Sequence, residues 1–300
     1  MHTKTALEEK KVEAFSLSRF LVINTFNFAF LTALFWAVST LAANWMGISN
    51  RFWAAQFTAD WRQYAAAFLV LHLLTCFVEY FFHRYVLHKH VIPFLHTQYR
   101  AHHLIHHPST RIGKKRKRGG GEVLFLIEIE NDYPITRPEQ NEAAFFPGYS
   151  MLVFALALAP VLALLQWLFP TFPWFLMGNV TLFFSLTLYE VFHSIEHWPF
   201  ESWVRLIEHP RWGKFWTKVY GFHLRHHAVI DCNEAISGFF LLPIADWFFG
   251  TYVPTKTLYA SGEEWSEKHF THPTPRWPIP WFDRWAKEME LRNRFRARAK

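Results

Sequence analysis

From residue 20 to residue 50 the chain carries no charge, and from residue 143 to residue 189 it again carries none. These runs limit the fold more than any motif does. A helix crossing a bilayer needs roughly 20 predominantly apolar residues, because the hydrocarbon interior has no water to solvate charges or free backbone polar groups. The first run holds one span. The second, interrupted by Pro160, Pro170 and Pro173, holds two, and residues 64–82, with Glu79 as their only charge, hold a fourth. The spans are expected at about 20–42, 64–82, 149–169 and 172–192. The mean hydropathy of +0.02 averages these apolar runs with a sizeable polar lobe.

Four spans put residues 1–19, 83–148 and 193–300 on one side. Of the 31 Lys and Arg, only Arg51 and Arg62 fall on the other. The positive-inside rule makes the basic side, with both termini, cytoplasmic: facing the cytosol from the endoplasmic reticulum in a eukaryote, or from the inner membrane in a bacterium. The opening stretch MHTKTALEEKKVEAF mixes acids with bases, lacks a small-residue cleavage site and is not read as a signal peptide. The two cysteines, Cys76 in a span and Cys232 in the lobe, predict no disulfide framework.

Histidine is neither a strong helix former nor a residue that buries readily. Yet RAHHLIHH (100–107) and GFHLRHH (221–227) repeat the pattern His-x-x-His-His. Residues three and four apart share a helix face, so His103, His106 and His107 project together, as do His223, His226 and His227. His193 and His197 form a third set. His83 and His88, five apart, lie about 140° apart on an ideal helix and converge only where the helix bends. All four groups follow the ends of spans on the same membrane face. Neutral imidazole is a ligand of zinc, iron, copper and nickel. Ten such donors exceed what one ion takes and suit two ions with about five nitrogens each, leaving a position for water, oxygen or substrate.

The segments HRYVLH (83–88), HLIHH (103–107), HSIEH (193–197) and HLRHH (223–227), followed by DWFFGTY (246–252), resemble the membrane fatty acid hydroxylase / sterol desaturase superfamily. The resemblance covers roughly residues 64–252. It implies an all-α integral membrane fold, with four transmembrane helices and a cytoplasmic helical cap. It also implies two iron ions held by His83, His88, His103, His106, His107, His193, His197, His223, His226 and His227. The implied activity is O2-dependent oxidation of a membrane lipid or isoprenoid C–H bond: hydroxylation of a fatty acyl, sphingolipid, sterol or carotenoid substrate, or desaturation as the close alternative. Electrons would come from a separate ferredoxin-, rubredoxin- or cytochrome-type partner, since no haem- or flavin-binding module is visible in the sequence.

Other residues compete for roles. His102 adjoins His103 and is a candidate to replace a ligand of the pattern. Glu190-x-x-His193 matches a unit of soluble di-iron bundles, which would bring Glu190 to a metal. Glu79, Glu190, Glu196, Asp231 and Glu234 are candidate acceptors for the second ring nitrogens. His72, inside a span, is read as a neutral residue against a hydroxyl rather than as a ligand.

Residues 1–252 are expected to form one catalytic domain with an insert at 108–148, and residues 253–300 a Trp/Pro-rich and basic tail. Within the insert, Lys114–Arg118 and the following three glycines read as a flexible basic turn suited to anionic headgroups or an acidic electron carrier. EVLFLIEIE alternates like a strand or hairpin arm. Four spans leave a nucleic-acid partner without support. A non-catalytic metal-binding membrane protein would place its ligands along a path inside the spans. A zinc hydrolase would carry His-Glu-x-x-His, which is absent.

Overall fold

The computed structural model describes residues 16–117, 124–131, 145–198, 200–254, 264–266 and 270–298. The opening stretch 1–15 and the glycines of the basic turn lie outside them. Helices α1 (Leu17–Trp45), α3 (Trp61–Phe82), α5 (Ser150–Leu168) and α6 (Trp174–Glu196) are long and apolar enough to cross a membrane, with α3 continuing to Leu87. They match the four expected spans, with α1, α3 and α6 extending beyond the expected ends. The short α2 (Arg51–Thr58) connects α1 to α3.

Local chemistry sets the ends. Asp60 accepts from the backbone N–H groups of Arg62 and Gln63, while the Gln63 side chain accepts from the Asp60 N–H. This reciprocal cap satisfies donors that a helix start leaves free. At the same end of the bundle, Gln56 donates to Gln166 Oε1 at 2.9 Å, and Gln166 donates to the carbonyls of Pro170 and Phe172, closing the α5–α6 turn. The helices pack around Leu71, Met151, Leu158, Leu162 and Leu182. Gly178 lets α5 and α6 approach closely: a Cβ there would lie 2.7 Å from Leu162. The outer faces carry Phe26, Leu41, Leu156 and Trp167, each about 70 % exposed or slightly more. Apolar side chains in those positions suit a hydrocarbon solvent, and the four apolar helices indicate a membrane protein.

The remaining elements gather at the end of α3 and α6 that carries the histidines. α3 runs on as a π-helical turn, His83–Leu87. α4 (His96–Tyr99) leads into π-helical Arg100–His106 and a final turn, His107–Ser109. α7 (Phe200–Ile207), α8 (Gly213–Ala228), α9 (Ile244–Phe249) and α10 (Ile279–Arg298) are the remaining α-helices among the described residues.

The expected all-helical chain has one addition. Among the described residues β1 (Thr110–Lys117), β2 (Leu124–Asn131) and β3 (Glu264–Ser266) form an antiparallel sheet in that order, with Thr110 opposite Asn131 and Lys117 opposite Leu124. The alternating 122–130 segment is therefore a strand for most of its length. Lys114–Lys117, read as part of a turn, is strand as well, because pairing with Leu124–Ile127 satisfies its backbone groups. The tail expected after residue 252 crosses back onto the region that follows α3: Arg84 pairs with Asp283 of α10, and Asn293 donates to the carbonyls of His90 and Val91.

Candidate metal centre

Two groups of four imidazoles stand side by side. In the first, His83, His88, His102 and His226 each aim a ring nitrogen at a common point; in the second, His106, His197, His223 and His227 do so. All four rings of the first group are buried, as are His106, His197 and His223.

The first group depends on the π turns. In an i→i+5 helix, residues five apart stack over one another, so the His88 N–H bonds the His83 carbonyl at 3.2 Å and both rings point the same way. This resolves the angle that an ideal helix would impose. The second π turn shifts the register at 100–107. The His107 N–H bonds the His102 carbonyl, and His102 takes the inward position that α-helical spacing assigned to His103. His103 sits at the edge, its Nδ1 3.3 Å from His88 Nδ1 and its ring stacked on Tyr99. Local helix type, invisible to a 3.6-residue periodicity, decides between neighbours.

The tautomers follow from the outer contacts. His83 Nδ1 lies 2.7 Å from the Glu234 carbonyl and His226 Nδ1 2.7 Å from the Cys232 carbonyl. A carbonyl only accepts, so each Nδ1 carries the proton and each Nε2 presents a lone pair. Those lone pairs face His102 Nε2 (2.9 Å from His83) and His88 Nε2 (3.3 Å from His83, 2.9 Å from His226). His88 and His102 have at most one Nε2 proton each, too few for these facing pairs. A bound cation satisfies all four at once. The spacing agrees: a metal–nitrogen bond of about 2.1 Å sets neighbouring donors about 3.0 Å apart at a right angle and about 3.4 Å apart in a tetrahedron.

In the second group His106 Nε2 lies 3.1 Å from His197 Nε2, His197 2.9 Å from His223, and His223 3.0 Å from His227, all Nε2 to Nε2. His193 adds a further donor, 3.0 Å from His106. Thr110, where the sheet begins, serves two rings: its hydroxyl meets His197 Nδ1 at 2.9 Å and its carbonyl accepts from His227 Nδ1 at 3.1 Å. The insert is thus joined to the site. His107 lies between the groups, stacked on His227 at 4.1 Å and 4.6 Å from the His88 ring, with its Nε2 buried and without a hydrogen-bond partner. The donors fit a pair of metal ions.

Burial first, and then the repulsion of adjacent rings, holds His88, His102, His106, His107, His197 and His223 well below the usual imidazole pKa. Burial pulls His226 down to about 4. The rings are neutral at pH 7, the form that binds metal.

Backbone carbonyls and the Thr110 hydroxyl, more than the carboxylates expected for the task, meet the outer ring nitrogens. Glu234 is the closest carboxylate, its Oε2 3.4 Å from His83 Nδ1, and its Oε1 binds Arg84 at 2.8 Å. Arg84 also makes two bonds to Asp283, at 3.1 and 2.8 Å. Asp246, of the DWFFGTY segment, accepts from the Glu234 and Ala235 N–H groups and from Thr251, fixing the loop whose carbonyl orients His83. Glu79 holds the N–H groups of Ser237 and Gly238, Glu190 accepts from the Phe146 N–H, and Asp231 meets His272. His72 contacts the Ser185 hydroxyl and accepts from the Phe240 N–H, a structural role inside the bundle. Nothing in the sequence marked Thr110 or Asp283, because their partners lie far away along the chain.

An apolar cavity leads to the first group. Val78, Phe82, Phe154, Leu158 and Leu186 line it between α3, α5 and α6, and His83 closes one side; its empty volume is about 530 Å³, mouth included. Comparison of the chain with protein-family profiles, with curated proteins and with solved structures finds no match.

Proposed function

We propose that this chain is a membrane-embedded, O2-dependent di-iron oxygenase that hydroxylates a C–H bond of a membrane lipid or isoprenoid. The observation that carries the reading is the pair of convergent imidazole groups, adjoining a mostly apolar cavity, lined also by Glu79, that reaches His83. An unactivated C–H bond has no acidic proton, so acid–base side chains alone cannot break it. A pair of iron ions would supply the redox chemistry that no side chain here has.

The chain's own residues bind, orient and enclose. His83, His88, His102 and His226 would hold one ion, and His106, His193, His197, His223 and His227 the other. The Glu234, Cys232 and Thr110 carbonyls keep Nδ1 protonated and aim Nε2 inward. Phe82, Phe154 and the leucines around them exclude water and present a chain from the bilayer to the site. An all-nitrogen set suits iron, zinc or copper; iron is favoured because many donors crowd each position, whereas a single catalytic zinc needs about three. Electrons would arrive from a separate carrier at the basic face, which the charge distribution makes cytoplasmic.

Cells with and without the protein, grown under ¹⁸O2 and analysed by lipid mass spectrometry, test the reading. One labelled oxygen in a lipid product that disappears with His226→Ala is expected. Dehydrogenated product without label would assign desaturation, and an unchanged lipidome would overturn the reading.

A further inference from the structure

The cavity between α3, α5 and α6 holds one polar group that the chain itself leaves unanswered. Six of its lining side chains can hydrogen-bond: Thr75, Glu79, His83, Ser185, Tyr189 and Ser237. Five are engaged. The Thr75 hydroxyl donates to the His72 carbonyl at 2.9 Å, and Ser185 stands 3.0 Å from Thr75 and 3.1 Å from His72 Nδ1. His72 Nε2 accepts from the Phe240 N–H, so the neutral ring has its proton on Nδ1 and donates to Ser185, which in turn donates to Thr75. That trio is closed. The two oxygens of Glu79 take the Ser237 hydroxyl and the N–H groups of Ser237 and Gly238. His83 is committed to the Glu234 carbonyl on one nitrogen and to the first imidazole group on the other.

Tyr189 differs from all of these. It is 6 % exposed, and its ring lies 5.1 Å from that of Phe146 and 5.3 Å from that of His193. Its hydroxyl has no hydrogen-bond partner among the described residues, yet it is not sealed within protein. A side chain so nearly buried, in the wall of a cavity, has its remaining surface there. Buried tyrosine hydroxyls ordinarily find a partner, and this one opens onto a space that a ligand can fill.

We infer that Tyr189 hydrogen-bonds a hydroxyl or carbonyl carried by the part of the lipid that enters the cavity. The inference rests on this cavity being the substrate's place and narrows the substrate class to an oxygenated lipid or isoprenoid, as opposed to a bare hydrocarbon chain. A phenol both donates and accepts, so either oxygen function answers it. A bare chain would displace water and leave the hydroxyl unsatisfied among apolar walls, which disfavours it. Tyr189 precedes His193 by one turn of α6, and Leu182 lies two turns further from the histidines. The oxygen function is thus held at the histidine end, with the apolar body reaching toward Leu182.

Photolabelling of the metal-loaded protein in phosphatidylcholine nanodiscs, under argon and without reductant, tests it. The probes are dodecanol bearing a diazirine and dodecane bearing the same diazirine. In the parent protein the alcohol is expected to label Phe154, Leu158 and Leu186 about tenfold more than the hydrocarbon does, as one buried hydrogen bond implies. Both should label the outward Phe26 and Leu41 of α1 alike. Tyr189→Phe, which removes the hydroxyl alone, should bring the alcohol down to the hydrocarbon's level in the cavity while metal content stays unchanged. Leu182→Trp, which fills the cavity, should abolish labelling there by both probes. Equal labelling of the cavity by the two probes in the parent protein, an alcohol preference that survives Tyr189→Phe, or labelling that persists in Leu182→Trp would overturn the inference. The comparison of probes in the parent protein stands even where a variant fails to fold. Labelling needs no turnover: the expected pattern with an unchanged lipidome under ¹⁸O2 would keep the binding role and remove the oxygenase reading, and a labelled lipid product without the alcohol preference would do the reverse.

Discussion

His102 and His103 are neighbours in sequence and differ in role because a π turn separates their directions. His102 Nε2 lies 2.9 Å from His83 Nε2 inside the first group, and His103 stacks on Tyr99 at its edge. His102→Ala should therefore lose about one of two bound metals, while His103→Ala keeps both; metal content of the purified variants measures it. The reverse result would restore the α-helical register.

Acid should act on the same rings. Folded, His88, His102, His106, His107, His197 and His223 bind protons only well below the usual imidazole range, and His226 only at about 4; unfolded, they bind them at about 6.5. The unfolded chain takes up more protons between these values. Stability is thus retained above about 6.5 and lost as the pH falls toward 4, with metal released over the same window. Thermal midpoints and metal retention measured between pH 7.5 and 4.5 check the direction.

Among the elements, α10 and the sheet reach the site from parts of the chain that carry no histidine of either group. Arg84 is buried between Glu234 and Asp283. Replacing Glu234 by Leu would leave part of that charge unpaired and destabilise the fold by about 3–5 kcal/mol, which chemical denaturation in detergent would register. Thr110→Val removes the hydroxyl at His197 while keeping the carbonyl at His227. It should weaken metal binding to the second group by about 10-fold or more, with the first group unchanged.

These contacts explain what the sequence did and did not reveal. Charge-free runs and repeated His-x-x-His-His motifs exposed four helices and most of the converging rings, because both signals are local and periodic. The His83–His88 convergence and the exchange of His103 for His102 depend on π turns, which leave no periodic signature. The ring acceptors are carbonyls of the Asp231–Glu234 loop and of Thr110, so their identity follows from backbone path and not from residue type. Asp283 lies 199 positions from Arg84, and no spacing rule connects them.

For the molecule as a whole, apolar helices and histidine groups form one arrangement: the bundle ends where the rings begin, and the cavity runs between them. The basic side carries nearly all Lys and Arg. A cysteine introduced at Arg51 should thus react with an impermeant reagent from the non-cytoplasmic side, whereas one at Arg211 should react only after the membrane is opened.

The central claim is that imidazoles from four parts of the chain hold two metal ions. Iron quantification combined with X-ray absorption on the purified protein tests it most directly. The account predicts about two irons per chain, each surrounded by nitrogen at about 2.1 Å, and about one after His226→Ala. Protein that is folded yet holds no metal after reconstitution, or the same metal content in His226→Ala as in the parent, would contradict it.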